Sequence, residues 1–258
     1  MYTKVYNHSK LGGTNVENII YFDIETTGFD KENDWIIMVS IGKLTGSQFS
    51  IKQYFAEKPQ DEKLLLDVFL KDIEHETVWC SYNGIAFDEP FIKKRMQLNN
   101  ISMPLPDEHV DLYRLIRPYY KQLGLERCNL KTVERYIGIN RRDRIDGGLS
   151  VDLYYEYLET NDDEIKDIIM LHNYEDVLNL PSIHEFAYRI QQDTSLIRED
   201  SITPKQSKYL EFLLTKHSLE LCVNTNKISK KAASKIIDRI LKGNPDSEEL
   251  NSIASNSY

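Results

Sequence analysis

The stretch Ile19-Ile20-Tyr21-Phe22-Asp23-Ile24-Glu25-Thr26-Thr27-Gly28 constrains this chain more than any other, because an apolar run closes on two carboxylates and a Thr-Thr-Gly turn. Its β-branched and aromatic residues predict a strand. Successive strand side chains alternate faces, so Asp23 and Glu25 point the same way and Ile24 the other. Like charges that close repel, and they are costly to bury unless a proton or a cation neutralises them. Two readings follow from these residues alone: solvated acids where a strand enters a loop, or oxygen ligands for a divalent ion such as Mg²⁺ or Mn²⁺. The rest of the chain decides between them.

With 258 residues, 41% of them hydrophobic, the chain can build one domain of ordinary size and an appendage. Residues 1–15 are polar with no signal-peptide run, and no later stretch approaches a membrane span, so a soluble, cytoplasmic protein without a membrane partner is expected. Cys80, Cys128 and Cys222 lie far apart and form no CxxC pair, which argues against a zinc ribbon or a disulfide scaffold. The net charge of -9 counts against a nucleic-acid binder, yet residues 204–242 hold nine Lys and Arg against three Asp and Glu. An acidic body therefore precedes a basic piece.

After the first strand, residues 35–44 and 48–55 read as two more strands around Thr45-Gly46-Ser47, an antiparallel meander. Residues 61–73 carry Leu65, Leu66, Phe69, Leu70 and Ile73 at helical spacing; 77–82 reads as a short buried strand, 87–98 as a helix, and 109–112 as a strand entering a helix. The order βββαβαβα predicts an α/β fold, a mixed five-stranded sheet with helices on both faces. Further helices are expected over 129–137 and 150–158, then a longer one opened by Asp162, which Pro181 should kink or end near Leu180. Residues 191–203 lack periodicity. The expected organisation is a main domain over 1–192, a linker over 193–203, a small basic helical module over 204–242 and a disordered tail over 243–258.

Two later blocks bear on the acid pair. Tyr82-Asn83-Gly84-Ile85-Ala86-Phe87-Asp88-Glu89-Pro90-Phe91 follows a buried strand and places Asp88 at a helix start, where it is either a simple cap or part of a site. Asn83 and Phe87 offer an amide and an aromatic face of use beside a nucleotide. In His172-Asn173-Tyr174-Glu175-Asp176, His172 and Asp176 stand one helical turn apart, in line with Ile165, Ile168, Leu180 and Ile183. They are a satisfied core pair or a site, and the other acids favour a site. Two divalent ions roughly 3.5 to 4 Å apart suit phosphodiester cleavage, one activating water and one stabilising the departing oxygen. Asp23, Glu25, Asp88 and Asp176 would be the metal ligands and His172 the group that positions or deprotonates water.

Asp-Ile-Glu-Thr-Thr-Gly, Tyr-Asn-Gly-x-x-Phe-Asp-x-Pro-Phe and x-Asn-x-x-Asp together resemble the three exonuclease motifs of the DEDD superfamily, of ribonuclease H-like fold. The second is similar to that of B-family DNA polymerase proofreading domains. Closer still is the YprB-like branch of predicted exonucleases, which this chain resembles in His109-Val110-Asp111-Leu112, Leu130-Lys131-Thr132-Val133-Glu134, Ile145-Asp146-Gly147, Tyr154-Tyr155-Glu156-Tyr157 and His172-Asn173-x-x-Asp176-Val177. The resemblance implies a monomeric 3′-to-5′ exonuclease acting on single-stranded DNA or RNA ends with two Mg²⁺ or Mn²⁺ ions, with Thr26, Asn83 and Phe87 as substrate contacts. An endonuclease of the same fold, or an inactive nucleic-acid-binding scaffold, is the alternative. One departure stands out: His172 occupies the slot of the tyrosine subclass, four before the last Asp, whereas the histidine subclass places its His five before. Lys93-Lys94-Arg95 and the loop residues Arg141, Arg142 and Arg144 are either solvated clusters or phosphate contacts. Asp111 is expected to brace structure.

Overall fold

Alternation decides the first element. Tyr2, Lys4, Tyr6 and His8 are half-buried while Thr3, Val5, Asn7 and Ser9 are exposed, the pattern of an edge strand, and Tyr2–Ser9 is strand β1. The computed structural model describes residues 1–9, 19–243 and 246–255, so the rest of the polar opening, residues 10–15, lies outside the described residues. Ile19–Thr26 (β2), Ile36–Thr45 (β3) and Gln48–Phe55 (β4) form the expected meander, and Val78–Ser81 (β5) and Glu108–Asp111 (β6) add two short parallel strands. The sheet is mixed and six-stranded, in the order β1-β4-β3-β2-β5-β6. The expected five strands become six because β1 pairs antiparallel with β4 from Tyr2↔Phe55 to Ser9↔Gln48.

Strand parity sends one face of β2 into the larger core. Ile20, Phe22 and Ile24 pack with helix α1 (Glu62–Ile73) and helix α2 (Asp88–Leu98) through Leu65, Leu66, Phe69, Phe91 and Ile92, and Phe22 stacks on Trp79 at 4.6 Å. Each such fully buried side chain is worth about 1.5–3 kcal/mol. A second core joins Ile37 and Met38 of β3 and Phe55 of β4 to Tyr154 and Tyr157 of helix α5 (Gly147–Thr160) and Ile165, Ile169 and Met170 of helix α6 (Asp163–Gln192). The short helices α3 (Leu112–Ile116) and α4 (Leu130–Tyr136) complete this part, with Asn129 capping α4 through Thr132 N–H at 2.9 Å.

Four further expectations need correction. α6 does not end near Leu180 but continues through Pro181: Leu180, Ile183 and Ala187, buried on either side, offset the roughly 3 kcal/mol that an interior proline costs. On the same helix Ile169 takes the core position expected of Ile168, which is exposed. The segment 193–203 is packed rather than a loose linker, and its cause is two buried cations. Lys227 donates to the carbonyls of Ile190, Asp193 and Leu196 at 3.1, 2.7 and 3.2 Å, and Arg198 pairs with Asp200 at 2.8 Å. The tail also departs from expectation. Ser247–Ser255 forms helix α9, with Leu250 and Ala254 buried, while residues 244–245 and 256–258 lie outside the described residues.

Contacts divide the chain into two compact units, Met1–Tyr113 with Cys128–Ala187, and Arg114–Arg127 with Tyr188–Tyr258. The boundary thus falls inside α6, and Arg114–Arg127 joins the C-terminal unit, where Glu199 N–H donates to Pro118 O at 3.0 Å and Gln191 to Leu115 O at 3.0 Å. In that unit helix α7 (Pro204–His217), helix α8 (Lys230–Lys242) and α9 bury Leu210, Leu213, Ala233, Ile236, Ile240 and Leu250 together. Thr203 and Gln206 close a reciprocal cap at the start of α7. Among the described residues no helix is long and apolar enough to cross a membrane.

Candidate active site

The parity that buries Ile24 turns Tyr21, Asp23 and Glu25 toward α5 and α6. Tyr21 OH meets His184 Nδ1 at 3.0 Å, Asp23 Oδ2 accepts from Asn173 Nδ2 at 2.6 Å, and Glu25 Oε2 accepts from Ser150 Oγ at 2.8 Å. The turn beyond is tight. Thr26 Oγ1 donates to Gly28 O at 2.7 Å, and Asp34 takes Thr27 Oγ1 at 3.2 Å and Asp30 N–H at 2.8 Å, so that a Cβ on Gly28 would collide with the Asp34 carboxylate.

Parallel pairing of β2 with β5 ends at Tyr21↔Cys80, which leaves the Ile24 N–H without a strand partner. Asp88 Oδ1 accepts it at 3.2 Å. The Asp88 carboxylate, first in α2, is thereby held on the backbone between Asp23 and Glu25, close enough to both to act on their charges. Asn83 turns the chain at φ 69°, a region asparagine tolerates, and its N–H donates to Asp111 Oδ1 at 2.8 Å. Asp111 also accepts from Ile85 N–H at 3.3 Å and Tyr113 N–H at 3.1 Å, so its buried carboxylate braces this turn.

On α6, His172 and Asp176 meet Glu25. His172 Nε2 lies 3.6 Å from Glu25 Oε1 and 3.7 Å from Asp176 Oδ2, while Nδ1 is 2.9 Å from Asp143 Oδ2. One ligand atom from each of Glu25, His172 and Asp176 falls within 4.8 Å of the others. Electrostatics report the crowding. Burial, with Asp176, Asp88 and Glu25 adding to it, holds the Asp23 pKa well above its usual range. Burial also pushes both Glu25 and Asp88 up to about 7. For His172, burial lowers the pKa, but Asp176, Glu25 and the bond to Asp143 outweigh it and the net shift is upward. Buried oxygen donors that keep protons for want of counter-charge, beside one imidazole, fit a divalent cation.

A model of the RNase_H superfamily matches residues 20–188. The chain belongs to the RNase H superfamily. The protein YprB of Bacillus subtilis (strain 168) is 31% identical over 176 residues, 67% of this chain and 42% of that protein, so the chain spans well under half the length of this relative. A family B DNA polymerase from the archaeon Pyrobaculum calidifontis shares the fold with a TM-score of 0.55 at 17% identity, over 74% of this chain and 29% of the polymerase. The fold is of the nuclease-type hydrolase kind.

In this RNase H-superfamily site the structure brings Asp23, Glu25, Asp88, His172 and Asp176 together. It leaves the expected substrate contacts at different depths. Thr26 is buried, Asn83 exposed, and Phe87 half-buried against Phe29, their ring centroids 5.8 Å apart. Phe29 itself is 87% exposed and was not expected; an aromatic following Thr-Thr-Gly was its only sequence signal. Lys94 pairs with Glu32 at 2.8 Å, Lys93 with Glu89, and Arg95 grips Glu62 through two bonds of 2.7 Å, so this cluster is engaged within the fold. Tyr174 packs on Tyr6 at 4.4 Å, away from the acids.

Sequence reasoning missed two supports. The first is a buried polar row across the sheet, on the rungs Asp23↔Ser40 and Ser40↔Gln53. Gln53 donates to Ser40 at 2.8 Å and to Met170 O at 3.1 Å, Ser40 donates to Asn173, and Asn173 fixes Asp23. The second is Arg141, which is buried, not solvated. It bonds Asp176 and the His172 carbonyl, the latter at 2.8 Å, and lies 3.3 Å from both Glu134 and Asp143. Arg142 and Arg144 are exposed. A cavity of about 270 Å³ borders this arginine, lined also by Lys131, Arg135 and Asn140.

Proposed function

We propose that this chain is a divalent-metal-dependent exonuclease that hydrolyses phosphodiester bonds from the 3′ end of single-stranded nucleic acid. The observation that carries the reading is the meeting of four carboxylates, from β2, α2 and α6, in one cluster, with the pKa values of Asp23, Glu25 and Asp88 raised. Structure alone has no use for such a cluster, because each buried like charge costs stability. Asp23, Glu25, Asp88 and Asp176 would hold two Mg²⁺ or Mn²⁺ ions, which supply the charge that activates water and stabilises the departing oxygen.

The protein's own groups do the rest. Asp143 orients the His172 ring through Nδ1 and leaves Nε2 facing Glu25 and Asp176, where it orients water or moves a proton. Asn173 locks the Asp23 carboxylate and Ser150 that of Glu25. Phe87 and Phe29 present aromatic faces beside Thr26 and Asn83, an arrangement suited to a terminal nucleotide. A free end is what such an arrangement would recognise.

Oligonucleotides of DNA and RNA labelled at the 3′ or 5′ end, incubated with Mg²⁺ or Mn²⁺, test this. The expected result is stepwise loss from the 3′ end, abolished in Asp176→Ala and Asp88→Asn with unchanged circular dichroism. Undiminished activity in both variants would refute the metal site, and cutting of a closed circle would replace the exonuclease by an endonuclease.

A further inference from the structure

Helix α7 buries Leu210 and Leu213, yet its outward side is not merely polar. Lys205, Tyr209, Phe212 and Lys216, spaced 4, 3 and 4, form one exposed stripe with Lys208 beside it. Tyr209 is 44% and Phe212 57% exposed, and their rings are nearly parallel, 15° apart with centroids at 6.4 Å. Two large parallel rings, each about half open to water, put more apolar surface outside than a solvated helix face needs.

Charge narrows the occupant. Several cationic side chains of the other unit are engaged: Lys93, Lys94, Arg95, Lys131 and Arg141 each face a carboxylate. Among the described residues, no carboxylate pairs with Lys205, Lys208 or Lys216, and the stripe's one acidic neighbour, Glu211, accepts from Ser207 at 3.1 Å. Gln206 donates to Lys230 O at 3.1 Å and Ser234 at 2.9 Å, which sets the lysine-rich start of α8 alongside. An apolar protein partner would want the rings without a ring of free ammonium groups, and a lipid surface would want aliphatic side chains beside them. Flat aromatic faces between unpaired lysines match bases and phosphates of an unpaired strand, since every base offers a π-face and every linkage an anion. The stripe is about 16 Å long at 1.5 Å per residue, room for a few nucleotides.

We propose that the outward face of α7 is a second nucleic-acid-binding surface, on which Tyr209 and Phe212 stack bases of a single strand and Lys205, Lys208 and Lys216 bind its phosphates. It binds strand irrespective of whether the carboxylate cluster cuts it.

The test is fluorescence anisotropy of the full chain with a labelled single-stranded oligonucleotide in EDTA, where metal-dependent cleavage cannot intervene. Tyr209→Leu with Phe212→Leu keeps a helix-forming apolar surface and removes only the rings; it should weaken binding about 10- to 100-fold. Phe212→Trp should bind at least as well as the parent. Lys205→Gln, Lys208→Gln and Lys216→Gln together should reduce the slope of log affinity against log salt by about 2. Hydrolysis of a dinucleotide, which offers the stripe no run of bases and phosphates to hold, should be unchanged in all of them. Affinity unchanged within twofold in both the ring and the lysine variants would overturn the proposal, as would a ring variant that alters only self-association by light scattering. Strand binding without any metal-dependent cleavage in the parent protein would count against the carboxylate site instead.

Discussion

Replacing Arg141 by Met asks whether the acid cluster is built to carry cations. The guanidinium is 6% exposed and lies against Asp176, Glu134, Asp143 and Glu175, the last at 3.7 Å, and its buried Nε has no hydrogen-bond partner. Once it is gone, Lys131 still serves Asp143 and Arg142 still serves Glu175, but Asp176 keeps only His172. Removing one partner of a buried ion pair costs about 3–5 kcal/mol. Four acids share this one, which puts the loss near the top of the range, and the methionine stem recovers part of the packing, so about 4 kcal/mol is expected. At an m-value of about 2 kcal/mol per molar, the urea midpoint in EDTA should fall by about 2 M. Trp35 and Trp79, the two tryptophans of the chain, both lie in the unit that holds the acids, so tryptophan fluorescence reads the right transition. Divalent cations should then close the gap. At a hundred times the dissociation constant a bound ion adds about 2.7 kcal/mol, and in the variant it no longer competes with a guanidinium for Asp176. The difference between the two proteins should shrink by at least half in saturating Mg²⁺. A loss below about 1 kcal/mol in EDTA, or a loss that Mg²⁺ leaves untouched, would refute the reasoning.

The raised pKa values give a pH signature. Burial holds Glu25 and Asp88 at about 7, against ordinary values of 4.5 and 3.8, so the folded chain keeps protons that the unfolded chain has already released. Metal-free stability should therefore fall as pH rises from 5 to 7.5, and calorimetry in EDTA that shows it rising would contradict the assignment. Isothermal titration with Mn²⁺ in buffers of different ionisation enthalpy should release more protons at pH 6.5 than at pH 8.5, where both groups are already ionised. Asn173→Leu breaks the link between Ser40 and Asp23 and should weaken Mn²⁺ binding about 10- to 100-fold, while the melting temperature reads the accompanying loss of buried hydrogen bonds. Lys227→Met strips three carbonyls of their donor and should abolish amide-exchange protection around residues 193–203, with protection in β2 and β3 unchanged.

Where a pattern was local, it could be read. β2 to β5 and α1 announce themselves by apolar period, and the parity of Asp23 and Glu25 follows from a strand whatever packs on it. β1 escaped because its inward side is Tyr2, Lys4, Tyr6 and His8, an alternation of amphipathic rather than apolar residues. α9 escaped because Leu250, Ile253 and Ala254, at helical spacing, are diluted by Asn, Ser and Glu, and composition outweighed period. Arg141 is a harder case. Its burial depends on acids from α4, α6 and its own loop, a neighbourhood that exists only after folding, and in sequence it cannot be told from Arg142. The row through Ser40 and Gln53 was hidden by neutrality, since one polar residue in a strand attracts no notice until register sets it on the rung of Asp23.

The same charges bear on how a polyanion could be bound at all. The unit with the carboxylate cluster holds 17 Lys and Arg against 31 Asp and Glu, while the other holds 15 against 10. A phosphate strand approaching the first unit meets a repulsive field until divalent ions are in place. The second unit attracts it without them. Monovalent salt should then act mainly on affinity, through the lysines of α7 and α8, and divalent concentration mainly on turnover, through the carboxylates. Were both to move KM alone, the acids would be serving only to dock the strand, and the crowding of Asp23, Glu25 and Asp88, which costs the fold stability at neutral pH, would have no return in chemistry.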